Sequence, residues 1–156
     1  MNEAPTSKLA RRALERCEPV LSPVYFRHSL RSYGCALAYA RKNALEVEDV
    51  EGLYIAFLFH DLGLFPPVRD RGRAFQLVSS LAMREFLDEQ KVAADRIERL
   101  AAAIDYHMQP LPWWSLSTEA GLLQVGAWMD ALCWRRWTVP ADVARLEAEL
   151  PRGWLI

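Results

Sequence analysis

The residues best able to do chemistry in this sequence are a few imidazoles and carboxylates set among apolar residues. His60 and Asp61 directly follow the apolar run 53–59. An ionised Asp buried at the end of such a run is costly unless it is paired or binds a metal. Adjacent side chains on a helix point about 100° apart. Both can still bind one ion if the helix ends here, because the following turn can redirect one of the two side chains toward the other. The alternative is that the two residues cap the C-terminus of a helix, where a charged His interacts favourably with the helix dipole.

Two more residues favour the metal interpretation. His28 lies on the second predicted helix, and Asp130 lies on the apolar sixth one. Helical spacing puts Asp130 on the face of Leu123, Gly126 and Ala127, so we expect its carboxylate to point inward, where it needs a partner. A lone His on an apolar face is more often a core residue with satisfied hydrogen bonds. Two imidazoles and two carboxylates together suit one divalent zinc, iron, manganese or nickel ion, with water completing the shell.

The elements that must position these residues are helical. Glycine is scarce, alternating strand patterns are nearly absent, and long stretches are rich in Ala, Leu, Arg and Glu. A length of 156 residues suits one domain, so we predict an all-α fold, a single-domain helical bundle of about six to seven helices. The predicted helices cover about 6–17, 23–43, 49–61, 74–89, 92–107, 118–137 and 140–150.

Composition excludes several classes of protein. Nineteen Lys and Arg against twenty Asp and Glu leave a net charge of −1, which gives no general drive toward nucleic acid or an anionic membrane. No apolar run approaches the length of about 18 residues that a membrane span needs, and the N-terminus has no signal-peptide core. Three widely spaced cysteines are neither a disulfide framework nor a thiolate zinc site. We therefore expect a cytoplasmic protein with reduced thiols at Cys17, Cys35 and Cys133.

The order of a His, a His-Asp pair and a final Asp, all on helices, resembles the HD-domain superfamily from about residue 20 to 135. Several motifs resemble its cyanamide-hydratase-like branch more closely. They are Tyr-Phe-Arg-His-Ser-Leu-Arg-Ser-Tyr at 25–33, Leu-Phe-His-Asp-Leu-Gly-Leu at 58–64, Ala-Met-Arg-Glu-Phe-Leu at 82–87, Ala-Ile-Asp-Tyr-His at 103–107 and Gly-Ala-Trp-Met-Asp at 126–130. The sequence is thus similar to a metal-dependent family whose fold is a helical bundle around the ion, and the whole of 1–156 is predicted to be one such domain.

The resemblance implies a ligand set for one divalent metal ion, made of His28, His60, Asp61 and Asp130. It also places His107 where many relatives carry a further histidine in the pocket. There His107 would hydrogen-bond a metal-bound water or the substrate, or transfer a proton, a task that Asp61 could share. The alternative for His107 is a cap at a helix C-terminus.

The sequence departs from the family pattern in ways that bear on the substrate. Gln76 stands where the family pattern has a Glu. Its side chain has the shape of a Glu side chain but lacks the negative charge. His107 is the one additional histidine between the HD pair and the final Asp, which disfavours a site with two metal ions. Arg31 lies one turn beyond His28 on the same helix face and could hold a phosphate or carboxylate. The alternative for Arg31 is an ion pair outside the pocket.

Six tryptophans need a separate interpretation. Trp113 and Trp114 lie in a proline-rich loop after the fifth predicted helix, and we expect them to form a pocket lid or a dimer contact. With Arg31 and Gln76 they complete the candidate substrate-binding residues. The tryptophans on the sixth predicted helix are expected to pack between helices, namely Trp128, Trp134 and Trp137.

Three functions remain open for the predicted metal site. The first is addition of a metal-activated water to a small nitrile- or cyanamide-like substrate. The second is hydrolysis of a nucleotide or another phosphate ester, which needs basic groups such as Arg31 or the arginines within 69–73. Positions 62–65 lack the acidic residue that some phosphate-cleaving relatives have, which favours the first function. The third is a non-catalytic, metal-containing regulatory module. We expect a small-molecule substrate, no nucleic-acid or membrane partner, and a homodimer as an open alternative to a monomer.

Overall fold

The computed structural model describes residues 4–153, and those residues form seven α-helices and no β-strand. Two short 3-10 helices, Leu62–Leu64 and Arg136–Thr138, connect them. This result confirms the all-helical bundle that the sequence predicts. The helices are α1 Lys8–Cys17, α2 Pro23–Lys42, α3 Val50–Phe59, α4 Phe75–Glu89, α5 Ala94–Tyr106, α6 Thr118–Ala131 and α7 Pro140–Glu149.

Four of the helices begin at a residue whose side chain caps the first turn. The side chains of Ser7, Ser22, Asp49 and Ser117 each accept a hydrogen bond from the backbone N–H three residues later. Such caps satisfy a backbone donor that has no partner within the helix. Pro23 also occupies the first turn of α2, where its missing N–H costs nothing. The starts of these helices are therefore encoded locally.

Helix α3 lies at the centre of the bundle. It contacts α1, α2, α4, α5 and α6, and every residue from Gly52 to Phe59 is buried. A helix that is apolar on all sides is stable only when neighbours cover every face. Because α3 runs through the interior, the two polar residues that follow it, His60 and Asp61, are delivered into the core.

Helices α2 and α6 pack closely against each other. A Cβ atom added to Gly126 of α6 would lie 2.3 Å from the carbonyl oxygen of Ser32 and 2.7 Å from the ring of Phe57. Only a glycine leaves room for the two backbones to approach in this way. The contact brings the buried face of α2, which carries His28, against the face of α6 that carries Asp130.

Helix α6 is shorter than predicted, and two of its expected residues lie elsewhere. The helix ends at Ala131, and Cys133 and Arg135 have φ values of 58° and 64°, a left-handed conformation that an α-helix cannot continue. Trp134 consequently lies in the turn that follows and Trp137 in the 3-10 helix Arg136–Thr138, and the two are 52% and 68% exposed. The prediction that they pack between helices is wrong, because the chain turns before it reaches them.

Two further observations concern the chain as a whole. Within residues 4–153, none of the helices combines the length and the apolar character that crossing a bilayer requires. The three cysteines are free thiols, with Cys17 and Cys35 buried and Cys133 exposed. Burial raises the pKa of Cys35 to about 12, so this thiol is protonated and unreactive at neutral pH.

Candidate metal centre

Three side-chain atoms, one from α2 and two from the residues that directly follow α3, converge in the interior of the bundle. The Nε2 atoms of His28 and His60 are 3.3 Å apart, and Oδ2 of Asp61 lies 3.5 Å from the first and 3.3 Å from the second. All three residues are buried. Three ligands bound to one zinc ion at about 2.1 Å in tetrahedral geometry are roughly 3.4 Å apart. The triangle therefore matches the spacing that one transition-metal ion requires, and its nitrogen and oxygen donors suit such an ion.

Neighbouring residues reach the same point because the helix ends between them. His60 keeps a helical backbone, whereas Asp61 has φ −107° and ψ 4° and starts the turn 62–64. That turn is held against α4, because the N–H of Gly63 donates to Oγ of Ser79 at 2.8 Å. A Cβ on Gly63 would lie 2.3 Å from the carbonyl oxygen of Phe75, so the turn approaches α4 as closely as a glycine allows. The turn therefore directs the side chain of Asp61 toward the same point as that of His60, as the sequence predicts for a shared ion.

Each of the three histidines is oriented through its Nδ1 atom. Nδ1 of His60 lies 2.7 Å from the carbonyl oxygen three residues earlier, and Nδ1 of His107 lies 2.6 Å from the corresponding carbonyl. Nδ1 of His28 lies 2.7 Å from Oδ2 of Asp130. Because carbonyl and carboxylate oxygens only accept, these contacts place the proton on Nδ1 and leave the lone pair on Nε2. Neutral imidazoles with a free Nε2 lone pair are the form that binds a metal.

The burial of these groups shifts their protonation. Burial, and then the neighbouring His28, lower the pKa of His60 to about 3. Burial, and then His60, lower the pKa of His107 to about 4. Burial raises the pKa of Asp61, against the opposing influence of His28 and His107. The two imidazoles keep their lone pairs at neutral pH, and a cation at the site would favour the ionised carboxylate that burial disfavours.

The structure does not bring Asp130 into the group of ligand atoms, although the sequence pattern predicts it as the fourth ligand. Arg31 binds its carboxylate in a bidentate manner, from Nε to Oδ1 at 2.7 Å and from Nη2 to Oδ2 at 2.8 Å. Burial alone would raise the pKa of Asp130, but the hydrogen bonds from His28 and Arg31 outweigh it and lower the pKa to about 2. Asp130 is therefore an ionised carboxylate behind His28, on the side of the imidazole remote from Nε2.

Arg31 lies outside the pocket as well. Its side chain is 1% exposed, and besides the two bonds to Asp130 it donates from Nη1 to the carbonyl oxygen of Leu150 at 3.0 Å. Buried acceptors engage its guanidinium, and a contact of Arg31 with a substrate stays a prediction. The ion-pair alternative describes this residue.

A cavity of about 360 Å³ opens beside the three ligand atoms. His107 forms part of its wall, with its ring 5.2 Å from that of His60 between centroids. Sequence reasoning placed His107 in the pocket but missed most of the apolar wall, although Ala127, Trp128 and Ala131 recur on α6 at helical spacing. The residues that line the cavity are Tyr25, His28, His60, Asp61, Leu64, Phe75, His107, Met108, Ala127, Trp128, Ala131 and Leu132.

Three predicted substrate-binding residues lie away from this cavity. Gln76 is half-buried on the first turn of α4 and is not part of the described lining. Trp113 packs edge-on against Tyr106, with ring centroids 4.3 Å apart. Trp114 stacks on Tyr39 at 6.4 Å and lines a different surface cleft. Their loop folds back on α5 and α2, so the structure gives no support for a lid over the metal site.

The bundle and its His-His-Asp group define an all-helical domain able to hold one divalent metal ion. Among models of protein families, the HD domain matches residues 25–132. Since this match covers well over half of the 156 residues, the chain belongs to the HD-domain family, and the resemblance inferred from its motifs is confirmed at that level. Proteins of this family are generally metal-dependent hydrolases. A comparison with curated proteins found no match.

Proposed function

We propose that this HD-domain protein uses one divalent metal ion to add water to a small, uncharged substrate, with cyanamide and other nitrile-like molecules as first candidates. His28, His60 and Asp61 would hold the ion. When bound, a divalent ion supplies a Lewis acid and lowers the pKa of a coordinated water. The motifs at 58–64 and 82–87 support the nitrile-like substrate through their resemblance to the cyanamide-hydratase-like branch.

The observation that carries the proposal is the chemical character of the cavity wall. None of the described lining residues is Lys or Arg, and the guanidinium of Arg31, one turn from His28 on α2, is bound to Asp130. A phosphate ester carries negative charge that needs cationic partners. The arginines of the loop 69–73 are exposed and do not line the cavity. These features support a substrate without negative charge.

The size of the cavity supports a small substrate. A volume of about 360 Å³ lies near the lower end of the roughly 300–1,000 Å³ found for ligand pockets. Six of the described lining side chains are aliphatic, a phenyl ring or a thioether, Trp128 adds an indole, and Tyr25 contributes the one hydroxyl among them. An apolar wall strengthens polar interactions at the ligand atoms because it excludes water.

His107 is the residue best placed to move a proton. Its Nδ1–H is bound to the carbonyl of Ile104, so Nε2 is the atom that accepts a proton from the attacking water. The indole N–H of Trp128 donates to the carbonyl oxygen of His107 at 3.0 Å, which holds this residue at the wall. Because burial lowers the pKa of His107, its imidazole is a weak base but is unprotonated at neutral pH, so the Nε2 lone pair is available to accept a proton. Asp61 would hold the ion through Oδ2, the atom nearest His28 and His60, so its other oxygen, Oδ1, would be the one able to share the proton transfer.

The proposal is tested by loading the purified protein separately with zinc, iron, manganese or nickel. Each form is assayed on cyanamide and small nitriles, beside a panel of nucleotides and sugar phosphates. We expect formation of the urea or amide product, lost in His107→Gln although the metal content is kept. Arg69→Gln serves as the control, because that exposed side chain lies outside the cavity wall.

Two results would contradict the proposal. Phosphate release that depends on His60 and Asp61, without hydration of any nitrile, would show that the substrate is a phosphate ester. Metal retention without turnover of any compound in either panel would favour the regulatory module.

A further inference from the structure

The mouth of the metal cavity is formed by exposed apolar side chains. Met108, Ala131 and Leu132 line the cavity and are exposed at the surface, Met108 by 48% and Leu132 by 62%. We call these three residues the apolar rim. A single exposed leucine or methionine is ordinary on a protein surface, but these side chains border one opening. Exposed apolar side chains grouped around a cavity are typical of a surface that a ligand covers.

Hydrogen bonds from α6 hold the backbone of the rim in place. The N–H of Leu132 donates to the carbonyl oxygen of Trp128 at 2.9 Å. Trp128 and Gln124 donate from their side chains to the carbonyl oxygens of the two residues that flank Met108, at 3.0 and 3.1 Å. Gln124 is 1% exposed, so its bond is protected from water. Two side chains of one helix thus fix the position of an exposed methionine.

The wall between the rim and the ligand atoms offers a substrate little hydrogen bonding. Trp128 uses its indole N–H for the carbonyl oxygen of His107, so that ring presents hydrocarbon to the cavity. Apart from the three ligand residues, the polar side chains of the described lining are the imidazole of His107 and the hydroxyl of Tyr25. The remaining apolar residues of this wall are Leu64, Phe75 and Ala127.

We propose that the apolar rim binds a hydrocarbon substituent of the substrate, so that the site favours alkyl nitriles over cyanamide. This inference rests on the proposed function and specifies its substrate class. Hydration bonds the oxygen of water to the nitrile carbon and transfers both hydrogens to the nitrogen. No group leaves, so the substituent stays on the wall throughout the reaction. Cyanamide carries an amino group instead, and an apolar wall cannot replace the hydrogen bonds that this group makes in water.

The length of the substituent should set the affinity. A methylene that is fully removed from water strengthens binding about fourfold. At the rim a substituent is covered on one side only, which reduces the gain to about twofold per methylene. We therefore expect kcat/KM to rise about two- to fourfold per methylene from acetonitrile to hexanenitrile. The rise should level off once the chain extends past Met108 and Leu132.

Two variants replace rim residues by polar side chains of similar shape. Met108→Gln and Leu132→Asn should each lower kcat/KM for hexanenitrile by roughly tenfold, because the outer methylenes lose their apolar partner. Both should leave acetonitrile nearly unaffected, since the shortest nitrile does not reach the rim. Leu111→Asn is the matched control, because Leu111 is 73% exposed and is not part of the described lining. It should keep the parental dependence on chain length.

Binding without turnover tests the rim separately from the reaction. The zinc-loaded full chain, labelled with ¹³C in its methionine methyl groups, is titrated with alkyl amides from acetamide to hexanamide, the hydration products of the same nitriles. We expect the methyl signal of Met108, assigned by its loss in Met108→Gln, to shift on binding. Kd should fall about two- to fourfold per methylene. The methyl groups of Met83 and Met129 are internal controls, since both residues are 0% exposed and lie outside the described lining.

The two assays separate failure of the inference from failure of the proposed reaction. Amide affinity that rises with chain length, without hydration of any nitrile, would contradict the proposed reaction and still support the rim. Absence of amide binding, or affinity that does not depend on chain length in the parent, would overturn the inference. Weakening of hexanamide binding in Leu111→Asn as large as in Leu132→Asn would also overturn it, because the effect would not be specific to the rim.

Discussion

The spacing between α2 and α6 should control the metal site, and Gly126→Ala tests this dependence. Alanine normally favours a helix over glycine by about 1 kcal/mol. At this position, however, its Cβ would lie 2.3 Å from the carbonyl oxygen of Ser32 and 3.0 Å from Cβ of Ala36. Ordinary contacts of this kind are about 3.4 Å or longer, so the two helices must separate by roughly 1 Å.

The expected magnitude follows from that displacement. Overpacking of a close-packed interior costs about 1–3 kcal/mol, which exceeds the gain in helix propensity. For a chain of this length that cost lowers Tm by roughly 2–4 °C per kcal/mol. His28 moves with α2, whereas metal ligands tolerate errors of only about 0.2 Å. If Nε2 of His28 moved by about 1 Å, far beyond that tolerance, it would no longer lie 3.3–3.5 Å from the ligand atoms of His60 and Asp61.

The assay compares urea unfolding and zinc affinity in the parent, Gly126→Ala and Gly72→Ala. The control lies in an exposed loop, where a Cβ meets only Oδ1 of Asp70 at 3.3 Å. We expect Gly126→Ala to unfold at lower urea and to bind zinc at least about tenfold more weakly, while Gly72→Ala matches the parent. Unchanged stability and affinity in Gly126→Ala would refute the steric argument. Reduced stability with parental zinc affinity would refute the link between helix spacing and the site.

Three other predictions concern single side chains. His107→Gln should abolish turnover and keep the metal, as measured by product formation and by metal analysis of the same sample; loss of the metal would instead make His107 a ligand. Tyr25→Phe should raise KM about fivefold, equivalent to a hydrogen bond of about 1 kcal/mol, with zinc affinity unchanged; an unchanged KM would exclude its hydroxyl from substrate binding. Asp130, with a pKa of about 2 in the folded chain against about 3.9 when unfolded, contributes about 2 kcal/mol of stability above pH 4, which is lost as the pH falls toward 2. Urea unfolding of the metal-free protein should therefore show Asp130→Asn less stable than the parent at pH 7 and nearly equal to it near pH 2, and a constant difference would contradict this assignment.

Much of the fold follows from short-range features of the sequence. Ser7, Ser22, Asp49 and Ser117 each cap a helix with their own side chain, an interaction over three residues that needs no tertiary contact. Helix α6 ends at Ala131, about six residues before the end that the sequence predicts. The left-handed turns at Cys133 and Arg135 involve residues with no strong preference for that conformation, so tertiary packing decides where the helix ends.

The sequence by itself determined the helical bundle, the family and the imidazole and carboxylate set, because an apolar run ending in His60 and Asp61 leaves few uses for a buried carboxylate. It also placed His107 at the pocket. Only the tertiary structure decided which atom each group faces. Asp130 and Arg31 lie 99 residues apart, and their pairing depends on the close approach of two helices, which no local pattern encodes. The same long-range geometry decides that the three ligand atoms of His28, His60 and Asp61 converge.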